Sequence, residues 1–169
     1  MYLISVEGGD GSGKGEAVRL ISMLAKKMAF PNVHVTHEPR RHSELGKLAL
    51  KAVSKGEKTP LEEAGLFAAD RVDHSHTWIK PRLERGEVVV SDRNIHSSII
   101  YQGVVGDLGI DTVCQVNSAS MIPDLVVWID CDPDRAIERI KHATLRMSSD
   151  KQEYFETPEI QKTIRQGFN

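Results

Sequence analysis

The segment Gly8-Gly9-Asp10-Gly11-Ser12-Gly13-Lys14-Gly15 holds the residues whose types and spacing are best suited to chemistry. Gly8 and Gly13-Lys14 stand at the spacing of the phosphate-binding loop G-x-x-x-x-G-K-[ST]. Such a loop wraps its backbone tightly around an anion, so glycine is needed where a side chain would forbid the required φ. Successive N–H groups then face inward, the following helix presents its positive end, and the lysine bridges the outer phosphates. One position departs from the pattern: Gly15 stands where a Ser or Thr hydroxyl would sit on magnesium. A water is expected to take that ligand position, unless the loop shifts so that Ser12 substitutes. The segment reads as a nucleoside-phosphate site with one part missing.

Further candidates lie downstream. Asp92 follows the apolar run Val88–Ser91, and open α/β sheets carry functional groups at the carboxyl ends of their strands. There it is suited to holding magnesium, directly or through a water, and equally to capping the next helix. Arg93 beside it has the planar fork that grips phosphate oxygens. Phe67 and Arg71 are four apart and share a helix face. A flat ring and a hydrogen-bond donor on one face suit a pyrimidine base; the plainer reading makes Phe67 core and pairs Arg71 with Asp70 or Asp73. Ser98 and Gln102 repeat the i, i+4 spacing. A histidine metal site is rejected, because His74 and His76 point apart on a helix and His34 and His37 face opposite sides of a strand.

These groups need a frame to position them. Strands are expected at Tyr2–Val6, Val33–Thr36, Val88–Val90 and Leu125–Ile129, short and near-continuously apolar as in parallel sheets covered on both faces. Ala17, Leu20, Ile21, Leu24, Ala25 and Met28 form one helical stripe, and Leu45, Leu48, Ala49, Ala52 and Val53 another. A third helix should start after Pro60, with Thr59 as N-cap, and run to about Arg85 before Gly86, with Pro81 kinking it or starting a new turn. Helices at Ile95–Val105, Ile110–Met121 and Pro133–Ala143 follow, then a mobile charged loop at Thr144–Lys151 and a helix-like end from Glu153 to Asn169. The alternation predicts an α/β fold with right-handed crossovers in a single domain spanning 1–169. A net charge of −2 gives no basic excess for nucleic acid. Cys114 and Cys131 form no framework, no segment approaches a membrane span, and no leader pattern precedes the first strand, so a cytoplasmic setting is expected.

On five motifs in order, the chain resembles the thymidylate kinase family over essentially its whole length. They are the glycine loop with its acidic Asp10, Glu38-Pro39-Arg40-Arg41-His42-Ser43-Glu44-Leu45-Gly46, and Leu66-Phe67-Ala68-Ala69-Asp70-Arg71. The fourth is Ser91-Asp92-Arg93-Asn94-Ile95-His96-Ser97-Ser98-Ile99-Ile100-Tyr101-Gln102-Gly103, close to D-R-aromatic-x-x-S-x-x-A-Y-Q, and the fifth Asp130-Cys131-Asp132-Pro133 followed by Arg135 and Arg139. The resemblance implies a three-layer P-loop nucleoside-monophosphate-kinase fold and transfer of the γ-phosphoryl group of ATP to dTMP, with Mg2+. It implies that Gly8 through Gly15 bind ATP and that Lys14, Asp92 and Arg93 carry the transfer. It puts Arg41 and Arg93 on the acceptor's phosphate, Phe67, Arg71, Ser98 and Gln102 on thymine, Tyr101 against the sugar's 2′ position and Asp10 on its 3′-hydroxyl. It also favours a homodimer, as do the apolar faces of the third and later helices.

Departures from the family pattern are Asn94 for the aromatic, Ile100 for Ala and Gly15 for the hydroxyl. The family's final strand and helix are also expected to be absent. An arginine that neutralises the transferring phosphoryl comes in this family from the phosphate loop or a lid. The loop has Gly11 after Asp10, so a lid at about 143–152 should supply the charge, with Arg139, Lys141, Arg146 and Lys151 as candidates. Two alternatives stand beside this reading: a kinase for another nucleoside monophosphate, and a catalytically weak nucleotide-binding module.

Overall fold

Runs of β-branched and apolar residues form four parallel strands, β1 (Tyr2–Glu7), β2 (Val33–His37), β3 (Val88–Asp92) and β4 (Leu125–Trp128), in the order β2-β3-β1-β4. The register sets Val6 beside Asp92 and Val127, and His37 beside Asp92. The carboxyl ends of β1, β2 and β3 are therefore level, and the chain leaves all three at one edge of the sheet. The computed structural model describes residues 1–28, 30, 32–147 and 157–169, and only the backbone of 143–147.

Helices cover both faces, giving three layers. Val6, Val18, Val88 and Val90 form the core under α1 (Lys14–Lys27), while Leu3, Val89, Ile79 and Leu83 form the core on the opposite face. That second face is covered by α3 (Pro60–His74), a π-helical turn (Ser75–Ile79) and α4 (Lys80–Glu84). Thr59 caps α3 in a reciprocal box with Glu62, as its position before Pro60 predicts. Helix α2 (Glu44–Lys55) runs between β2 and α3. After β3 come α5 (Ile95–Ser98), a π-helical stretch (Ile99–Val105) and α6 (Ile110–Val116). Helix α7 (Pro133–Met147) follows β4, and α8 (Pro158–Phe168) packs Ile164 against Ile100 and Tyr101.

Several expectations are corrected. Helix α1 buries Lys14, Val18, Ser22 and Ala25, while Leu20, Leu24 and Met28 are exposed. Of the expected stripe, Ala25 is buried and Ala17 and Ile21 pack against the core, so the sheet-facing row overlaps the stripe and leaves out Leu20, Leu24 and Met28. The long third helix and the helix at Ile95 both pass through π-helical turns, and the helix from Ile110 stops at Val116 because Asn117 turns inward. Helix α7 extends through Thr144–Met147, where a mobile loop is expected; the rest of that segment, 148–152 of the lid and the start of the Glu153–Asn169 stretch up to 156 fall outside the described residues. Among the described residues the sheet has four strands and no fifth.

Candidate active site

A cavity of about 740 Å3 opens at the carboxyl edge of β1, β2 and β3. That is the crevice where open α/β sheets hold ligands, and the volume suits a small molecule. One wall is the glycine loop. Gly11 and Gly13 adopt φ +73 and +103, and a Cβ on Gly11 would collide with the Ala136 backbone. Gly13 thus enters α1 in the left-handed region, directly ahead of Lys14. Lys14 is buried and its Nζ donates to the Gly9 carbonyl at 2.7 Å, with Asp10 at 3.7 Å. Burial, then the charge of Arg93, lowers its pKa to about 8 against the pull of Asp10, Asp92 and Glu7. It is a cation held at a cost, which an incoming anion would relieve.

The second wall begins where β3 ends. Arg93 takes φ +70, an unfavourable conformation for a side-chain-bearing residue, and this turns its guanidinium back over the loop. Its Nη2 donates to Asp10 at 2.5 Å and to the Tyr101 hydroxyl at 3.3 Å, and its Nη1 donates to Ser97 Oγ at 3.0 Å. Burial opposes the charge of Arg93, but Tyr101, Asp10 and Glu7 raise its pKa further above the ordinary arginine value. Burial would raise Asp10, yet Arg93 and Lys14 hold its carboxyl below the usual range. The Tyr101 hydroxyl donates to Asp10 at 3.4 Å and is pushed up to about 12 by burial. Asp92 Oδ1 is buried and has no hydrogen-bond partner among the described residues. Asp92 does not cap α5; Asn94 does, its Oδ1 accepting from Ile95 N at 2.7 Å.

The third wall is a buried polar cluster. Arg71 is 2% exposed and gives Nε to Glu38 at 2.7 Å, Nη2 to Ser98 at 3.0 Å and Nη1 to Asn117. Glu38 also pairs with His74 Nδ1 at 3.0 Å, while His74 Nε2 meets Thr36 Oγ1 at 2.9 Å. Asp70 and Asp73 do not pair with Arg71. Arg40 takes both, and Ser43 donates to Asp70 at 2.6 Å, pinning the loop after β2 to α3. Phe67, Ser98, Tyr101 and Gln102 line the cavity beside Arg71, and Arg41 reaches it from an exposed position.

Thus Asp10, Gly11, Gly13, Lys14, Gly15, Arg41, Phe67, Arg71, Asp92, Arg93, Ser98, Tyr101 and Gln102 all face one cavity. Gly9 and Ser12 line a smaller space on the far side of the loop, with Gln161 and Ile164 of α8. Ser12 therefore does not stand in for the missing hydroxyl at Gly15. Gly8 sits at the root of the loop, its carbonyl accepting from Arg93 Nη1 at 3.4 Å. Of the lid candidates, Arg139 lies on the loop backbone, donating to the Gly11 and Ser12 carbonyls at 3.2 and 3.3 Å, and Lys141 is exposed on α7. Arg146 has only its backbone described, and Lys151 falls outside the described residues.

The thymidylate kinase family profile matches residues 6–169. The chain belongs to that family. It is 39% identical over 164 residues to a "probable thymidylate kinase" of Pyrobaculum calidifontis, covering 96% of this chain and 78% of the relative. A "probable thymidylate kinase" of Thermococcus onnurineus is 34% identical over 177 residues, covering 99% and 82%. The "thymidylate kinase" of Lactobacillus delbrueckii subsp. bulgaricus is 35% identical over 144 residues, covering 82% and 68%. Family membership accounts for the five motifs and for the α/β frame that carries them.

Some residues at this family's site had no signal in the sequence. Glu38 was legible only as part of a loop motif, and Asn117 comes from the tip of α6, far along the chain. Ser97 stands inside the fourth motif and Glu7 immediately before the glycine loop, and neither has an assigned part there. Glu7 is fully buried, accepting from Ser97 Oγ at 2.6 Å and Asn94 N at 2.7 Å. Each of these contacts joins residues at least 33 positions apart, which periodicity does not register. Seven histidines and the acidic residues give no metal cluster among the described residues.

Proposed function

We propose that this chain transfers the γ-phosphoryl group of ATP to dTMP, giving dTDP. One observation carries the reading: the phosphate loop with Lys14, the residues Phe67, Arg71, Ser98 and Gln102, and Arg93 all line a single cavity. Phosphoryl transfer asks for positioning and charge neutralisation, and this arrangement supplies both. The loop N–H groups and Lys14 hold the donor phosphates. Arg93 and Arg41 grip the acceptor phosphate with planar forks, one part-buried and one exposed. Phe67 stacks on the base while Arg71, Ser98 and Gln102 read its polar edge. Asp10 accepts from the sugar's 3′-hydroxyl, and Tyr101, fixed by Asp10 and Arg93, crowds the 2′ position.

Magnesium belongs to the same proposal. Asp92 Oδ1, an acceptor still lacking a partner among the described residues, and the open space at Gly15 fit it, the first as a ligand and the second as room for water. When bound, magnesium neutralises phosphate charge; Asp92 would hold it, in part through water. Arg139, already at the loop, is the lid cation the described residues favour for the transferring group. A homodimer is supported by exposed Leu61, Val104 and Ile110 on the later helices, and a cytoplasmic setting by two free cysteines. Among the described residues no helix is long and apolar enough to cross a membrane.

The test is ADP formation in a coupled assay across nucleoside monophosphates with magnesium. dTMP should be preferred, and thymidine without its phosphate should be a poor substrate. Comparable turnover of AMP or CMP, or efficient phosphorylation of thymidine, would overturn the reading.

A further inference from the structure

Glu7 is the last residue of β1 and is fully buried, yet no lysine or arginine side chain among the described residues is within ion-pair distance of it. The nearest basic atom is His96 Nδ1 at 3.9 Å. A buried acid without a counter-charge is expensive, and an apolar or amide residue would fill the place at lower cost. What Glu7 does have is two donors from the segment after β3. Asn94 N gives to Oε1 at 2.7 Å, and Ser97 Oγ gives to Oε2 at 2.6 Å.

A serine hydroxyl carries one proton and two lone pairs. Because that proton goes to Glu7, Ser97 Oγ turns its lone pairs outward, and Arg93 Nη1 donates to it at 3.0 Å. The other end of the guanidinium is tied to Asp10 at 2.5 Å. We propose that Glu7 is a positioning residue: it sets the hydrogen-bond direction of Ser97 and so orients Arg93 toward the acceptor phosphate. The chain of contacts starts one residue before Gly8. It therefore locks the strained Arg93 turn to the root of the phosphate loop, so that donor and acceptor sites keep one relative placement. This rests on the reading of Arg93 as a phosphate-gripping group.

Glu7→Gln keeps the shape and the acceptor for Asn94 N, but presents a donor to Ser97 and reverses that bond. Steady-state kinetics at pH 8 for both substrates should show kcat/KM for dTMP falling about tenfold, with KM for ATP within about twofold of wild type. Ser97→Ala should do the same, and the double variant should lose about tenfold, not a hundredfold, because both act through one guanidinium. A role confined to holding the loop in shape would instead raise KM for ATP. Wild-type kinetics for Glu7→Gln, additive losses, or a parallel loss on ATP would overturn the proposal. If Glu7→Gln does not fold, Ser97→Ala decides alone, and wild-type dTMP kinetics there overturn it. Arg93→Lys separates the two readings. A loss in Arg93→Lys with none in Glu7→Gln refutes the relay only, whereas wild-type behaviour of Arg93→Lys refutes the role of Arg93 itself.

Discussion

On the proposed acceptor wall Arg71 is 2% exposed and its guanidinium is divided among Glu38, Asn117 and Ser98, whereas elsewhere in the cavity Asp92 Oδ1 has no partner among the described residues and Gly15 faces open space. The proposed base-reading side is finished before any ligand arrives; the proposed metal and phosphate side is not. Physical chemistry explains the division. A base offers few and weak polar contacts, so its readers must be fixed beforehand to discriminate at all. Phosphates and magnesium bring charge of their own, and a site that had already satisfied its charged groups would gain little from them.

Removing a member of the finished wall should therefore cost stability as well as binding. Arg71→Ala leaves Glu38 buried with only His74, and breaking a buried pair costs about 3–5 kcal/mol. Thermal unfolding should show a large drop in Tm, together with a loss of dTMP binding. Arg41→Ala on the exposed side of the same cavity should lose about tenfold or more in dTMP use, roughly 1.5–3 kcal/mol per charge-assisted bond, at unchanged Tm. Equal effects of the two variants on Tm would dissolve the distinction between the walls.

Glu7 stands where the two walls meet, and its titration sharpens the comparison. Burial pushes its carboxyl up to about 7, against hydrogen bonds from Ser97 and Asn94 and the charges of Arg93 and Arg71. With 4.5 as the ordinary value, the fold holds this proton more tightly than the unfolded chain does. The stabilisation is full below about pH 4.5 and is lost as pH rises through about 7. At about 1.4 kcal/mol per pKa unit this amounts to about 3 kcal/mol. Denaturant unfolding of wild type and Glu7→Gln between pH 4.5 and 8 should move the difference in favour of the variant by about that much. A difference that stays flat means Glu7 carries no such proton.

The same division governs what the sequence discloses. The loop, the four strands and Thr59 as a cap follow from local spacing, because glycine conformation, apolar runs and caps are local physics. Phe67 and Arg71 were legible as a shared helix face, and they do share the cavity. The partner of Arg71 was not: Asp70 and Asp73 lie next to it in sequence, yet Arg40 claims them and Glu38 reaches Arg71 from another element. The exposed Leu20, Leu24 and Met28 mark the same limit. Ala17, Ile21 and Ala25 of the same stripe do meet the core, together with Lys14, Val18 and Ser22, so apolar spacing located the buried face only in part.

The smallest expected effect lies at Gly15, on the unfinished side. A Cβ there would meet nothing within 4 Å, so a Ser or Thr side chain fits without displacing a neighbour. Ser12 does not supply the missing hydroxyl, since its side chain is tucked behind the loop beside Gly8. Asp10 and Glu38 also line the cavity but are paired with Arg93 and Arg71, so the proposed metal site would have Asp92 as its unpaired carboxylate among the described residues, with a water at the open position by Gly15. Gly15→Thr adds one neutral oxygen in place of that water, a change worth well under about 1.4 kcal/mol, or less than tenfold. The magnesium needed for half-maximal activity should fall about two- to threefold, with KM for dTMP unchanged because Gly15 touches nothing on the acceptor wall. An unchanged magnesium titration would mean that water already serves as well as a hydroxyl. An altered KM for dTMP would mean that the two walls are coupled through the loop after all.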